Sequence, residues 1–374
     1  MVSGGKKGVS NMNYKPKTVI FGPFIGEFGW ETMHWMGFVN DLCSTKYQGY
    51  RKIVVSYPGR SILYSSADEF IPLPQWFLDL NPSARNYVLD GWVNGFPGIS
   101  SSRYKWNAKF VLRKLLGKEK PHRILEEKPF PWPSMREHAE KVLSEILEKY
   151  SLREYTLICP WKLTSIDGRN YGFNDLVPER FLSQQDNILR FPNPDYEWSQ
   201  VKSTEKGKNY LSELNKSGCD LISIFPRRRL VRRQDKNWDY RNYLKLIDAL
   251  SELYPSSRIV LCGEPSGAYF QNSVPKNCID LINMNPEIRL DAHIAALENS
   301  KVAVGSLSGA MFLPLMTKTP TVVFGLESEK SRFERDNFLK TNLKYLVSTN
   351  PSVEDVLCEV VDLISQETNQ IFRS

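Results

Sequence analysis

The stretch of sequence that decides the fold is Val302-Ala-Val-Gly-Ser-Leu-Ser-Gly309-Ala-Met-Phe-Leu-Pro-Leu-Met316, which is followed after four residues by Thr321-Val-Val-Phe324. A short β-rich apolar run, a turn bounded by glycines, an apolar segment of helical length and a second β-rich run are typical of a β-α-β unit. Such a unit joins two parallel strands through a helix that covers the sheet. The stretch therefore predicts an α/β domain with a parallel sheet.

The same alternation extends upstream from this stretch. Further strands are predicted at Leu221–Phe225, Arg258–Cys262 and Cys278–Ile282, with helices at Tyr240–Leu253 and Asp291–Asn299 between them. The first of these helices carries apolar residues at helical spacing, which predicts one buried stripe made of Tyr243, Leu246, Ile247, Leu250 and Leu253. Because strands and helices alternate, we expect a doubly wound, Rossmann-like sheet with helices on both faces.

The first half of the chain begins in the same way. Thr18–Phe21 predicts a strand, 22–29 a glycine-rich turn, Trp30–Leu42 a helix and Lys52–Tyr57 a second strand. This opening is again a β-α-β unit. We therefore expect a second Rossmann-like α/β domain in the first half.

The rest of the chain has a weaker pattern. Helices are predicted around 105–116 and at Met135–Tyr150, a strand at Tyr155–Cys159, and an amphipathic helix at Val353–Ile364. Residues 160–207 have little periodicity, and we place the boundary between the domains near 205. The expected organisation is a flexible lead-in (1–16), a first domain (17–205), a second domain (206–350) and a C-terminal helix (351–374).

Composition excludes several classes of protein. The chain has 374 residues, of which 41% are hydrophobic and 24% charged, which is typical of a globular protein with room for two domains. No run approaches the ~18 apolar residues of a membrane span, and the N-terminus does not resemble a secretory signal. The six cysteines have no Cys-x-x-Cys spacing and are expected to be free thiols. We therefore expect a cytoplasmic protein.

Positive charge is concentrated in two places. The formal net charge is +7. The segment 1–17 carries +4 and the segment Pro226–Lys236 carries +5, so the rest of the chain carries about −2. The second segment directly follows a predicted strand, where open α/β sheets bind ligands, and arginine forks bind phosphate oxygens in pairs. Arg227, Arg228 and Lys236 are therefore candidate ligands for a compact anion, although a solvated basic loop is the plainer interpretation.

The turn Gly305-Ser-Leu-Ser-Gly309 is a second candidate for an anion site. Its glycines allow a ligand to approach the backbone, and the amides at the start of the next helix point towards an anion. Ser306, Ser308 and Gly309 are the candidate residues, and a tight packing turn is the plainer alternative. The turn lacks both the dinucleotide-binding Gly-x-Gly-x-x-Gly pattern and the P-loop lysine.

Several sequence blocks of the second half follow one another in a specific order and spacing. These blocks are Lys236-Asn-Trp238, Ile259-Val-Leu-Cys-Gly263-Glu264, Ile279-Asp-Leu281, His293-Ile-Ala-Ala-Leu297, Val302-Ala-Val-Gly-Ser-Leu-Ser-Gly309 and Pro320-Thr-Val-Val-Phe-Gly325. Together they resemble the donor-binding half of GT-B glycosyltransferases, and most closely the heptosyltransferase-like group, over roughly residues 221–326.

Two positions depart from the pattern of that group. Leu307 stands where the group has aspartate, and Phe312 stands where it has histidine. The backbone that would surround a phosphate is compatible with these changes, whereas the usual side-chain contacts are not. The run Phe225-Pro-Arg-Arg228 also has a shorter resemblance to the arginine-bearing strand end of fucosyltransferases, which use a guanosine diphosphate sugar.

The resemblance implies two domains that face each other across a cleft, with the nucleotide-sugar donor on the second and the acceptor on the first. It implies that Gly263 and Glu264 lie near the nucleotide, where Glu264 would accept hydrogen bonds from hydroxyl groups. An acid after a glycine turn is otherwise an ordinary exposed loop residue.

The resemblance also assigns a catalytic base. Gly26-Glu27 resembles the Gly-Asp of heptosyltransferase-like enzymes, whose acid takes the proton of the acceptor hydroxyl, and Glu31 is the alternative base. A helix dipole also favours an acid at this position without any catalysis. Trp30 and His34 lie four residues apart and are candidate acceptor contacts, although aromatic residues at this spacing are often core.

The resulting hypothesis is a glycosyltransferase that moves a sugar from a nucleotide-sugar donor to a hydroxyl acceptor, such as a glycan or a lipid-linked saccharide. No clean Asp-x-Asp pair is present, so we expect no resident cofactor and no requirement for a divalent metal. A single base predicts inversion at the anomeric carbon.

Two alternatives stay open at this stage. One is a sugar-nucleotide epimerase of the same fold, for which the scattered histidines give little support. The other is a protein that binds or modifies nucleic acid through the basic loop Arg227–Lys236, including a transferase that acts on a base in DNA.

Overall fold

A computed structural model gives the fold of the chain. The residues that it describes are 17–26, 28–79, 135–159, 164–166, 169–171, 200–229 and 234–371. The helix predicted around 105–116 lies outside these residues.

In the part of the chain that the structure describes, the first sheet contains four parallel strands in the order β3-β2-β1-β4. They are β1 (Thr18–Phe21), β2 (Arg51–Ser56), β3 (Glu69–Pro72) and β4 (Tyr155–Ile158). Three of them agree closely with the predicted strands, whereas β3 has no counterpart in the sequence analysis because it is short and only partly buried.

Helix α1 follows β1 and consists of three consecutive segments. They are Phe28–Trp30, a π-helical turn at Glu31–Trp35, and Met36–Ser44. The Thr32 hydroxyl donates to the carbonyl oxygens of Phe28 and Gly29 at 3.0 and 3.1 Å. Such back-bonding is known to bend helices, and π-helical turns occur frequently at functional sites.

Three smaller groups of elements complete the described part of the first half. They are α2 (Gln75–Asp79), α3 (Met135–Lys149) and the antiparallel pair β5 (Thr164–Ile166) and β6 (Arg169–Tyr171). Val142 and Ile146 of α3 are buried, as their helical spacing predicts.

The second sheet, as far as residues 200–229 and 234–371 form it, contains six parallel strands in the order β12-β11-β10-β7-β8-β9. They are β7 (Leu221–Phe225), β8 (Arg258–Leu261), β9 (Cys278–Asp280), β10 (Ser300–Ser306), β11 (Thr321–Gly325) and β12 (Leu343–Val347). Counted from β7, this is the Rossmann order 3-2-1-4-5-6, in which the strand order reverses between β7 and β10. A ligand crevice is expected at the carboxyl ends of these two strands.

The inner strands of this sheet are buried on both faces. In β10 the side chains of Val302 and Val304 join one hydrophobic cluster, while Ala303 joins a second cluster on the opposite face. This alternation explains the nearly continuous apolar runs in the sequence, since each face is covered by helices.

Besides short 3-10 turns, the described residues of this half form six α-helices. They are α4 (Glu205–Leu214), α5 (Tyr240–Leu253), α6 (Pro286–Glu298), α7 (Phe312–Thr317), α8 (Glu327–Arg335) and α9 (Val353–Ile371). Helix α6 begins five residues before the predicted start because the Asn285 side chain caps it, accepting from the Glu287 amide at 2.9 Å. The stripe predicted on α5 is buried except for Leu253, which is 53% exposed, so that part of the prediction is wrong.

The C-terminal helix α9 packs on the second sheet. Val356, Val360 and Leu363 are fully buried in the same cluster as α5. Just before α9, the Pro351 carbonyl accepts a hydrogen bond of 2.9 Å from the Trp238 indole. The helix is therefore part of the second half rather than a return to the first.

The predicted fold class is confirmed: the chain is α/β, with two parallel sheets. None of the helices in the described part of the chain combines the length and apolar composition that a membrane span requires.

Candidate active site between the two sheets

The carboxyl ends of strands from both sheets meet at one place. Gly29, after β1, lies against Gly309, after β10. Arg60, after β2, lies beside Glu264, after β8, with 4.0 Å between Arg60 Nη2 and Glu264 Oε1. Because ligands of open α/β sheets bind at the carboxyl ends of strands, this junction is the candidate site.

The contact between Gly29 and Gly309 is made by backbone atoms. A Cβ atom on Gly29 would lie 2.8 Å from the Gly309 Cα, and one on Gly309 would lie 2.7 Å from the Gly29 nitrogen. Neither backbone can accommodate a side chain at this distance. Glycine is therefore required at both positions for the start of α1 to meet the turn after β10.

Glu31 is the centre of a buried polar cluster in the first half. Its carboxylate is fully buried and accepts hydrogen bonds from the Ser56 hydroxyl, the Arg60 guanidinium and the Tyr64 hydroxyl, the last at 2.6 Å. Burial, and next the charge of Glu31, raise the pKa of Tyr64 well above its usual value, so Tyr64 remains a donor. The cluster satisfies the buried carboxylate and fixes it in place.

Arg60 connects this cluster to the second half. One guanidinium nitrogen binds Glu31 and the other faces Glu264, while the rings of Tyr57 and Phe28 lie 4.3 and 4.9 Å from its central carbon. Burial opposes its charge, but the carboxylates of Glu31 and Glu264 outweigh burial, so the pKa of Arg60 is raised. Arg60 is therefore a permanent cation at the junction.

Asn237 organises the basic loop after β7. Its side-chain oxygen accepts from the Arg227 guanidinium at 2.6 Å and from the Arg229 amide at 2.8 Å, and its side-chain nitrogen donates to the Arg229 carbonyl at 2.7 Å. Arg227 is buried, whereas Arg228 is partly exposed and lies 5.6 Å from the Tyr269 ring. The start of this loop is thus held in a defined conformation rather than solvated throughout.

A hydrogen bond joins the Ser306 side chain to the Lys236 backbone. The Ser306 hydroxyl is fully buried and donates to the Lys236 carbonyl at 2.6 Å, and the Lys236 ammonium is paired with Glu329 at the start of α8. Ser306 therefore fixes the end of the basic loop against β10.

The turn after β10 continues with Leu307, Ser308 and Gly309. Leu307 is buried, and Ser308 and Gly309 are partly exposed at the start of a helical segment formed by Gly309–Met311 and α7. Phe312 packs against Phe333 of α8, with 4.6 Å between ring centroids. The two positions that depart from the family pattern, Leu307 and Phe312, are therefore core residues here.

Gly263 and Glu264 follow β8. Glu264 is exposed, with 57% of its side chain accessible, and it is the residue that faces Arg60. Behind Gly263, the buried ring of His293 lies 3.0 Å from the Leu281 carbonyl oxygen, and burial lowers the pKa of His293 to about 4. His293 is therefore neutral under ordinary conditions.

The structure describes only part of the predicted acceptor side. Gly26 is buried after β1, and a Cβ atom there would lie 2.9 Å from the Phe24 ring. Glu27 and the side chains of Trp30 and His34 lie outside the described residues. Their predicted roles stay predictions.

Three residues of the junction were missed in the sequence analysis. Arg60, Asn237 and Glu329 all follow strands of the two sheets, at four, twelve and four residues beyond β2, β7 and β11. The rule that ligands bind at the carboxyl ends of strands also applies to the segment 57–60, which follows β2. The signal that the sequence offers there is the single arginine, Arg60. Among the described residues, no group of three or more histidine, cysteine or acidic residues is placed to hold a metal ion.

Comparisons with solved structures identify the fold. A glycosyl transferase family 9 protein from Veillonella parvula matches 95% of this chain and 99% of its own, with a TM-score of 0.51 and 13% identity. The ADP-heptose lipopolysaccharide heptosyltransferase II of Escherichia coli matches 94% of this chain and 99% of its own, with a TM-score of 0.52 and 15% identity. No protein-family model and no curated protein sequence matches the chain.

The chain therefore has the GT-B fold, in which two Rossmann-like domains are joined in one chain. The resemblance that the sequence motifs predicted is confirmed at the level of the fold. At this identity the similarity describes the architecture, and the activity must be argued from the site.

Proposed function

We propose that this protein is a glycosyltransferase that moves a sugar from a nucleotide-sugar donor to a hydroxyl acceptor. The observation that carries the proposal is the contact between Gly29, at the start of α1, and Gly309, in the turn after β10 at the reversal point of the second sheet. A basic loop and a helix start border the same point, and together they favour a diphosphate.

The donor diphosphate is proposed to bind at the carboxyl ends of β7 and β10. The amides after Ser308 and the partly exposed Arg228 would contact its oxygens, and Lys236, whose ammonium pairs with Glu329, would lie beside them. Arg227 and Ser306 support these groups, Arg227 through Asn237 and Ser306 through the Lys236 carbonyl. Glu264 and Gly263 would lie at the nucleoside end, where a carboxylate accepts from ribose hydroxyls.

Glu27 is the proposed base. It would take the proton of the acceptor hydroxyl while the acceptor oxygen bonds to the anomeric carbon and the bond from that carbon to the diphosphate breaks. The electron pair goes to the diphosphate, whose charge the basic loop stabilises. Glu31, the alternative base, already accepts three hydrogen bonds and is fully buried, which favours a role as an anchor.

Two finer properties belong to the same proposal. A single displacement inverts the anomeric configuration, and NMR of the product would contradict this by detecting retention. Cationic side chains around the diphosphate make a divalent metal unnecessary, so full activity should persist in excess EDTA.

The proposal is tested first by ligand binding. A thermal-shift panel of UDP, GDP, ADP, CMP and their sugars should identify at least one that raises the unfolding midpoint, since a ligand of the native state stabilises it by mass action. Arg228→Gln should weaken that shift. The matched control is Arg241→Gln, which removes the same charge from an exposed position on α5.

Three outcomes would contradict the proposal. They are stabilisation by no nucleotide, equal loss in both arginine variants, and salt-dependent binding to DNA that disappears in Arg228→Gln while no nucleotide binds. The last result would favour the nucleic-acid alternative. For the base, Glu27→Gln should abolish release of the nucleoside diphosphate while the thermal shift persists.

A further inference from the structure

Arg60 is the one residue of the described junction whose guanidinium contacts acids from both halves of the molecule. Its side chain is 11% exposed, with one nitrogen on the fully buried Glu31 and the other 4.0 Å from Glu264. The first contact lies within one domain, and the second crosses to the other. An arginine suits this position because its planar fork binds two partners at once.

The surroundings of Arg60 fix its direction. The Tyr57 and Phe28 rings lie against the guanidinium, and the Tyr57 hydroxyl donates to the Ile25 carbonyl at 3.0 Å. The side chain is therefore held by the elements that follow β1 and β2, and it has little freedom to turn away from the second domain.

A neighbouring glycine brings the same segment against the second domain. Gly59 has a φ of +76°, and a Cβ atom there would collide with the Pro286 carbonyl oxygen at the start of α6. The backbone beside Arg60 is thus in direct contact with the second domain. Together with Gly29 against Gly309 and Arg60 beside Glu264, this gives three contacts between the domains near the carboxyl ends of the two sheets.

We propose that Arg60 is a positioning residue that holds the two domains closed and orients Glu264 at the crevice, with Glu31 as its anchor. The pairing with Glu264 does not depend on any ligand. The part that concerns the nucleotide rests on the proposed function. There, a Glu264 carboxylate that Arg60 already holds in place would bind the ribose hydroxyls at a lower entropic cost.

Closure is tested on the ligand-free full chain. One dye is attached to the exposed Cys358 and a second to the exposed position 48 through Gln48→Cys, while Cys219→Ser and Cys278→Ser remove the competing thiols. Single-molecule energy transfer between the dyes then measures the ratio of closed to open molecules. Glu264→Gln should lower this ratio about fivefold, as expected for one partly exposed ion pair. Because Glu264 is exposed, this variant should fold normally.

Arg60→Lys is the second variant. It keeps a positive charge for Glu31 but loses the fork that reaches Glu264, so it should lower the ratio by a similar factor. The double variant Arg60→Lys/Glu264→Gln should lower the ratio no further than either single variant, because both changes remove the same contact between Arg60 and Glu264. Arg51→Gln, which breaks an exposed pair with Glu69 inside the first domain, should leave the ratio unchanged.

The nucleotide readout separates the two proposals. With the donor that the panel identifies, Arg60→Lys should raise KM about fivefold with kcat nearly unchanged, because saturating donor restores closure. An unchanged ratio in Glu264→Gln, or additive effects of the two variants, would overturn the role of Arg60. Absence of any nucleotide binding, with the ratio changed as described, would overturn the proposed function and leave the closure contact intact.

Discussion

The two domains each bury an ion pair at the carboxyl end of their sheet, and the two pairs are built differently. In the first domain Glu31 is 0% exposed and is held by three donors, while its partner Arg60 extends to the other domain. In the second domain Lys236 pairs with Glu329, at 9% and 13% exposure, and the Lys236 backbone is held by Ser306.

The difference indicates what each domain contributes. The first pair uses a buried acid to aim a cation across the crevice, so its charge serves the contact between the domains. The second pair fixes a cation within the loop of its own domain, beside the proposed diphosphate position. Removing a fully buried acid that accepts several hydrogen bonds should lower stability more than breaking the Lys236–Glu329 pair, whose acid is 13% exposed.

The largest expected effect is therefore on the first pair. Glu31→Gln removes the charge that Arg60 is buried against, and it should lower the free energy of unfolding by about 3–5 kcal/mol in urea denaturation. Glu69→Gln, which breaks the exposed pair with Arg51, should cost at most about 1 kcal/mol. A loss in Glu31→Gln as small as that of the control would show that the pair is not the centre of the cluster.

The second prediction tests the backbone contact between the domains. Gly309→Ala places a methyl group 2.7 Å from the Gly29 nitrogen and should cost about 1–3 kcal/mol or open the crevice. Gly49→Ala is the control, because no atom lies within 4 Å of a Cβ atom there. Calorimetry measures the stability of both variants, and energy transfer measures their fraction of closed molecules. If Gly309→Ala is as stable and as closed as Gly49→Ala, the backbone contact between Gly29 and Gly309 does not hold the domains together.

His293 extends the comparison beyond the two pairs because it is buried in its neutral form. The pKa of His293 is lowered from 6.5 to about 4, so between these values the unfolded chain binds more protons than the folded one. Stability should therefore fall as the pH is lowered through this range, by about 2 kcal/mol from pH 7.5 to pH 5 owing to this group.

The measurement is urea unfolding at both pH values. His293→Gln should remove about that much of the pH dependence, since glutamine does not titrate. The same pH dependence in both proteins would mean that His293 is not the group responsible.

The smallest expected effect concerns the second pair. Ser306→Ala removes one neutral hydrogen bond to the Lys236 carbonyl and should cost about 1 kcal/mol. Ser56→Ala should cost more, because the Ser56 hydroxyl donates to the buried carboxylate of Glu31. Thermal unfolding of the two variants compares them directly, and the reverse order would contradict the difference described between the domains.

The sequence predicts the second domain better than the first for a physical reason. Strands whose central residues are buried on both faces, such as β10 and β11, contain short apolar runs, and helix α5 has a clear stripe. Strand β3 and helix α8 are short or largely polar, so they lack such a pattern. Their formation depends on tertiary contacts, such as Phe333 of α8 packed against Phe312.

The candidate site was predictable in part, for a similar reason. Motifs identified the basic loop and the glycine turns, because they lie directly after predicted strands. The partnership of Arg60 with Glu31 and Glu264 joins residues that are distant in sequence, and no local pattern indicates it. The same holds for Lys236 and Glu329, which lie 93 residues apart.

The most direct test is a crystal structure of the full chain with the nucleoside diphosphate that stabilises it. We expect the diphosphate at the carboxyl ends of β7 and β10, within hydrogen-bond distance of the Gly309 amide and the Arg228 guanidinium, with the nucleoside beside Glu264. A diphosphate bound elsewhere, with the turns at Gly29 and Gly309 unliganded, would contradict this expectation.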